Sequence, residues 1–166
     1  MSKKYKRHFL KEKEAKALLK RASEKLKVDL EKIFGSETRM ELIETDFGEV
    51  FLVNSKPVLF KIGENIYPTL LFEEFSTSAP KVVVDMGAVR HICNGANVTA
   101  PGIVRFEGSF RKGDLVFVVD EKYGKPIAIG EILYDDAEAV GVKQGIVVKN
   151  VHFVGDRIWS ALKEVA

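Results

Sequence analysis

Three consecutive β-branched residues, Val82, Val83 and Val84, stand between Pro80 and Gly87. Such a run reads as a buried strand, so the chain around it must build a core to cover it. Gly87 to Cys93 follows as one short helix, with Ala88, Val89, Ile92 and Cys93 at near-helical spacing. Asn94-Gly95 stops that helix, because both residues accept the left-handed conformation of a C-terminal cap. A second apolar stretch, Val98 to Val104, is interrupted by Pro101-Gly102, the mark of a bulge or a kink.

Charge sets the same stretch apart. From Met86 to Phe106 there is no carboxylate, while Arg90, His91 and Arg105 are present together with Gly87, Gly95 and Gly102. Basic side chains beside open backbone N–H groups suit a phosphate, or the sugar-phosphate edge of a single strand. Glycine-rich turns that merely join short strands are the competing reading. The chemistry of the stretch leaves both open.

Before this segment the hydrophobic period changes once. Phe9 to Leu26 reads as an amphipathic helix, with Ala15, Leu18, Leu19, Ala22 and Leu26 on one stripe and lysines elsewhere. Lys27 to Phe34 reads as a turn and a shorter helical segment ended by Gly35-Ser36. From Thr38 the period is two: Met40 to Glu44, Val50 to Val53, Val58 to Ile62 and Ile66 to Phe72 read as four short strands. Phe75 to Pro80 is small, polar and proline-ended, which reads as a linker. After Lys112, Leu115 to Val119 and Pro126 to Leu133 form a hairpin, Asp135 is placed as an N-cap, and Gly145 to Val154 is a last strand. Asp156 to Trp159 opens a final short helix, and many short strands closing on themselves read as a small barrel. Trp159, the single tryptophan, is placed as a plug at one open end.

The 166 residues suffice for one ordinary domain or two small ones, and the expected division is 1–78 and 79–166, an α+β chain. Net charge is +2, but residues 1–35 carry +7, residues 36–80 carry −5, and residues 81–166 are neutral. A basic amino-terminal segment suggests nucleic acid as a partner, against the alternative of a lysine-rich solvated helix face. The acids Glu41, Glu44, Glu49 and Glu64 are assigned to a solvent face, where they could also hold a basic protein. Abundant lysine and glutamate, with Gln144 the sole glutamine, lean towards a thermophilic source.

Several classes are disfavoured. No apolar run approaches the roughly 18 residues of a membrane span, and the amino terminus lacks a secretory pattern, so a cytoplasmic protein is expected. Cys93 is the single cysteine, which leaves no intramolecular disulfide and no cysteine-based zinc site. His8, His91 and His152 share no metal-ligand spacing, Ser109, Thr99 and Cys93 have no local base, and no phosphate-loop, dinucleotide or hydrolase motif occurs. No catalytic residue, metal or cofactor is expected.

The segments VDMGAVRHICNGANVTAPGI and KGDLVFVVDEKYGKPIAIGEILYD, running on to GIVVKNVHFVGDRIW, resemble the PUA domain. With Ile66 to Leu71 ahead of them and Asn150 to Phe153 and Asp156 to Trp159 behind, the chain is similar to the MCT-1/Tma20 family, and resembles an archaeal member. The resemblance implies a small amino-terminal α/β domain, helix plus antiparallel sheet, followed by a PUA β-pseudobarrel that binds structured RNA, often the tRNA acceptor stem and its CCA end. The implied contacts are Gly87, Ala88, Arg90 and His91 on the helix, Asn94, Gly95, Ala96 and Asn97 in the loop, Ala100 and Pro101 on the following strand, and Lys149 and His152 on the last strand. Arg90 would meet phosphate or stack on a base. The N–H groups of Gly95 and Ala96 would admit the sugar-phosphate chain. Asn94 and Asn97 would read base edges or 2′-hydroxyls, with a pure capping role as the alternative for Asn94. The function so implied is non-catalytic binding of tRNA or ribosomal RNA in translation, with the small ribosomal subunit or an initiation-factor-like protein as possible company. The alternatives are a protein-interaction adaptor and an RNA-binding subunit for a separate modification enzyme.

Overall fold

The computed structural model describes residues 5–35 and 39–166. The chain forms two compact units, Met1–Glu74 with Ser160–Ala166, and Phe75–Trp159. Among the described residues, no helix is long and apolar enough to cross a membrane.

In the first unit, strand β1 (Lys6–Phe9) precedes helix α1 (Glu12–Leu26) and helix α2 (Leu30–Phe34). The apolar stripe of α1 is as expected, and its five members are buried. Its start is later than expected. Phe9 lies on β1, 54% exposed, and the helix is opened instead by Glu14, whose carboxylate accepts the Lys11 N–H at 3.1 Å. Strands β2 (Met40–Glu44), β3 (Glu49–Val53), β4 (Lys56–Ile62) and β5 (Asn65–Pro68) then form an antiparallel meander, to which β1 adds a fifth strand beside β2. Ser36 and Thr38, read as the end of the helical segment and the onset of strands, lie outside the described residues.

The basic and acidic segments meet inside this unit. Arg7 grips the Glu41 carboxylate with Nε at 2.7 Å and Nη2 at 2.9 Å, and Arg21 lies 3.7 Å from Glu64. The Arg7 guanidinium holds the Glu41 carboxyl below its ordinary range against the opposing effect of burial. Glu41 therefore serves the fold rather than a free acidic face.

Helix α3 (Glu73–Ser78), where a linker was expected, spans the boundary, and the second unit begins within it at Phe75. Its serines and threonine suggest a tether, but Phe75 is buried and meets the Phe117 ring edge-on at 5.6 Å, which fixes the segment. Next come strand β6 (Lys81–Val84), helix α4 (Met86–Ile92), strand β7 (Val98–Thr99), a single 3₁₀ turn (Ala100–Gly102) and strand β8 (Ile103–Glu107). Strands β9 (Leu115–Asp120) and β10 (Pro126–Ile132), helix α5 (Asp136–Ala139), strand β11 (Ile146–Phe153) and helix α6 (Arg157–Val165) complete the chain.

The six strands lie in the order β7-β11-β10-β9-β6-β8, with β6 parallel to β9 and the other pairs antiparallel. The two outer strands, β7 and β8, are joined by only Ala100–Gly102. Five strand spacings of a flat sheet would separate them by about 24 Å, whereas Thr99 to Ile103 can span at most about 14 Å. The sheet must curl until its edges nearly meet, and the fold is a pseudobarrel. Val82, Val84, Val116, Val118, Ala128, Ile132, Val147 and Val148 fill it.

Gly130 makes the curl possible on β10. A Cβ there would sit 2.3 Å from Val148 Cγ1 and 2.6 Å from the Lys149 carbonyl oxygen, and the register against β11 shifts at this point. Asp135 occupies the N-cap position of α5, but its carboxylate accepts the Lys112 N–H at 2.8 Å rather than one from its own helix. Trp159 lies on α6 and is half-buried. The start of α6 is set by Asp156, which accepts the Trp159 N–H at 2.7 Å.

Candidate nucleic-acid interface

Helix α4 begins where β6 ends. Asp85 caps it, its carboxylate accepting the Ala88 N–H at 2.8 Å, while its own N–H donates to the Gly102 carbonyl at 3.0 Å. A Cβ on Gly102 would lie only 3.0 Å from the Ala88 Cβ. The two small residues thus let the turn carrying Ala100 and Pro101 pack against the first turn of α4. Ile92 is buried beneath the helix, and Gly87, Arg90, His91 and Asn94 are exposed along its outer side, at the i, i+3, i+4 and i+7 positions of one face.

The loop after α4 is tightly closed. Asn94 N–H donates to His91 O at 3.1 Å, Gly95 N–H to Ile92 O at 3.0 Å and Ala96 N–H to His91 O at 3.0 Å, with Gly95 at φ +99°. The open N–H groups expected at Gly95 and Ala96 are therefore spent in the helix cap, and Gly95 is required for its left-handed backbone. Asn97 also has a structural duty: its Oδ1 accepts the Asn150 N–H at 2.9 Å, while its amide NH₂ is left to donate to a ligand. Asn150 on β11 completes the clamp, its Nδ2 donating to Ile92 O at 3.0 Å and to Ala96 O at 2.9 Å. This residue was missed from the sequence, although a lone asparagine in a valine-rich strand is a signal for a buried polar partner.

Two expectations for β11 divide. Lys149 is exposed, on the strand face opposite Asn150 by the alternation of side chains. His152 has no exposed surface and cannot form the wall of a groove. Its Nδ1 meets Asp156 Oδ2 at 2.9 Å, and the same carboxylate accepts the Phe153 N–H at 3.0 Å. Burial acts to raise the Asp156 pKa, but these partners outweigh it and hold the group ionised below its ordinary range. His152 is a core residue that orders the turn into α6.

What faces solvent is basic and uncompensated. Among the described residues, the side chains of Arg90, His91 and Asn94 form no hydrogen bond or ion pair, whereas Arg105 is held by Glu107 at 3.0 Å. Arg90 and His91 also lie in the last turn of α4, where the Arg90 charge offsets the helix dipole. Met86 and Val104 add exposed apolar surface, 41% and 47% exposed. Beyond the 3₁₀ turn a cavity of about 380 Å³ opens between Ala100, Ile103 to Phe106 and the segment Ala139, Val140 and Val142. The face can take a phosphate on Arg90 or His91 and an unstacked base on its apolar rim. Cys93 lies half-buried behind it, and burial pushes its thiol pKa up, away from nucleophilic use. Among the described residues no three His, Cys, Asp or Glu side chains converge as metal ligands would.

Residues 80–154 match the PUA domain, and residues 6–72 match a domain of unknown function, DUF1947. The uncharacterized protein MJ1432 of Methanocaldococcus jannaschii is 38% identical over 156 residues, covering 93% of this chain and 96% of that one. Translation machinery-associated protein 20 of Saccharomyces cerevisiae is 26% identical over 153 residues, covering 87% of this chain and 84% of that protein. Among solved structures, the hypothetical protein PH0734.1 from the hyperthermophilic archaeon Pyrococcus horikoshii OT3 superposes with a TM-score of 0.78 at 34% identity, over 95% of this chain and 99% of that one.

Proposed function

This chain belongs to the MCT-1/Tma20 family of PUA-domain proteins, and on that premise we propose that it is a non-catalytic RNA-binding protein of translation. The observation that carries the reading is the outer side of α4. Arg90 and His91 stand there without a carboxylate partner, on a helix whose cap is locked by Asn150. A rigid, positively charged rim of this kind binds a phosphate backbone without first having to release an internal partner. The proposed ligand is the single-stranded end of a structured RNA, such as the CCA end of tRNA or an exposed segment of ribosomal RNA. Arg90 and His91 would hold phosphates, Asn94 and the amide NH₂ of Asn97 would donate to base edges or 2′-hydroxyls, and Gly87, Ala88, Ala100 and Pro101 would supply the surface against which the strand lies. The cytoplasm is the corresponding compartment.

The test is binding of tRNA with and without its CCA end, at two salt concentrations, to the full chain and to Arg90→Ala/Asn94→Ala. The reading expects binding to weaken about tenfold, 1.4 kcal/mol, when either the CCA end or the two side chains are removed. Unchanged affinity in both cases would contradict it.

A second reading, a protein-interaction adaptor, is favoured by a cleft of about 740 Å³ in the first unit. It is lined in part by the exposed Phe9 ring, with the Arg39 guanidinium stacked over it at 4.4 Å. Chain whose RNA affinity is negligible at every salt concentration, but which retains a protein partner through Phe9, would shift the assignment to it.

A further inference from the structure

The turn between β9 and β10, Glu121 to Lys125, is short, exposed and oddly well anchored. Its tip presents Tyr123, 64% exposed, with the Lys122 ammonium 5.2 Å from the ring centroid and Lys125 two residues on. An aromatic side chain this exposed gains nothing from the core.

The turn is held from inside by Asp120, a carboxylate only 4% exposed. It accepts the N–H of Tyr123 and, at 3.2 Å, the N–H of Lys125, while Gly124 N–H donates to the Asp120 carbonyl at 3.0 Å. With the Asp120 charge turned inward onto backbone donors, Lys122 and Lys125 outnumber Glu121 on the outer surface of the turn. The backbone that carries the ring is thus already ordered, which lowers the entropic cost of binding there.

Topology gives the turn its neighbour. Strand β6 runs parallel to β9, with Val84 opposite Asp120, and Glu121 N–H donates to the Val84 carbonyl at 2.9 Å. The residue after Val84 is Asp85, the cap of α4. Tyr123 and the start of α4 therefore emerge from the same end of the same strand pair, and Met86, exposed and apolar, lies at that end too.

We propose that Tyr123 is a stacking platform for an unpaired base of the RNA bound along α4, with Lys122 and Lys125 meeting the flanking phosphates. A flat exposed ring between two lysines matches the alternation of base and phosphate in a single strand, and stacking on it is tolerant of sequence. This deepens the RNA-binding reading and rests on it.

The test uses the full chain and a short single-stranded RNA carrying one 2-aminopurine, moved stepwise along the strand. The variants are Tyr123→Ala, Tyr123→Phe, Lys122→Ala/Lys125→Ala and, as reference, Arg90→Ala. At one label position the wild type should quench the fluorescence; Tyr123→Ala should abolish that quench and weaken binding about tenfold, while Tyr123→Phe retains both. Tyr123→Ala binding and quenching as wild type, with Arg90→Ala impaired, would overturn the platform and leave the α4 reading standing. No RNA binding by the wild type would overturn both. Tyr123 is exposed at a turn held by backbone bonds, so its removal should leave the melting temperature unchanged.

Discussion

Asn150 reaches across from β11 to the Ala96 carbonyl at 2.9 Å, and with the same amide group to the end of α4. The loop that shapes the candidate interface is thus held by a side chain that is not itself on the exposed face. Asn150→Ala leaves the Ile92 and Ala96 carbonyls without this donor and should cost about 2 kcal/mol in denaturant unfolding. The same variant should weaken RNA binding without removing any charge. Asn150→Asp should do at least as much harm, since a carboxylate cannot donate.

Arg90→Ala tests charge on the same face. If Arg90 neutralises one phosphate of a single strand, the slope of log affinity against log salt should become shallower by about 0.7. Titrations across several salt concentrations measure this directly. A loss of affinity with an unchanged slope would mean that Arg90 stacks on a base instead.

Gly130→Ala should be among the most damaging single-methyl additions in the second unit. The new Cβ would meet the Lys149 backbone at 2.6 Å, which only a shift of the β10–β11 register can relieve. A loss of about 1–3 kcal/mol or more is expected, read as a fall in the thermal midpoint. Gly113→Ala, at φ +94° with open space around it, should cost less.

Asp120 gives the fold a defined acid sensitivity. Burial acts to raise its pKa, but the hydrogen bonds from the Tyr123 and Lys125 N–H groups, with the Lys122 and Gly124 N–H groups close by, prevail and lower it below the ordinary value. With the folded pKa below the unfolded value of about 3.9, its contribution to stability is present above that pH and is lost as pH falls through the folded pKa. The stability gap between wild type and Asp120→Asn should therefore be full near pH 6 and close progressively below about pH 4. A gap unchanged by acid would show that the carboxylate charge is not what holds the turn.

The parts legible in the sequence are those whose signal is local. The stripe of α1, the Val82–Val84 strand, the Asn94-Gly95 stop and the β9–β10 hairpin each follow from spacing and turn chemistry, and the structure places them within a residue or two. Strand β1 was hidden because Lys6 to Phe9 is an exposed edge strand, with no buried alternation to mark it; its partner β2 and the Arg7–Glu41 pair define it. Helix α3 was hidden because serine and threonine outweighed one phenylalanine in the pattern, while in the fold that phenylalanine decides.

Within the candidate site, the acid-free stretch correctly marked the exposed basic face of α4. It could not reveal which polar groups were already committed. The N–H groups of Gly95 and Ala96 are consumed by the very cap that Asn94-Gly95 announces, and His152 is claimed by Asp156, four residues away but brought close only by the turn after β11. Commitment of this kind depends on partners that meet in space, so composition and spacing do not carry it.

The most direct measurement is amide chemical-shift mapping of the labelled full chain, titrated with an acceptor-stem hairpin RNA ending in single-stranded CCA. The account predicts the largest perturbations at Gly87 to Asn94 and at the Ala100–Gly102 turn, reduced when CCA is removed. Perturbations confined to β1 and α1, with α4 silent, would contradict it and move RNA contact to the basic helix of the first unit.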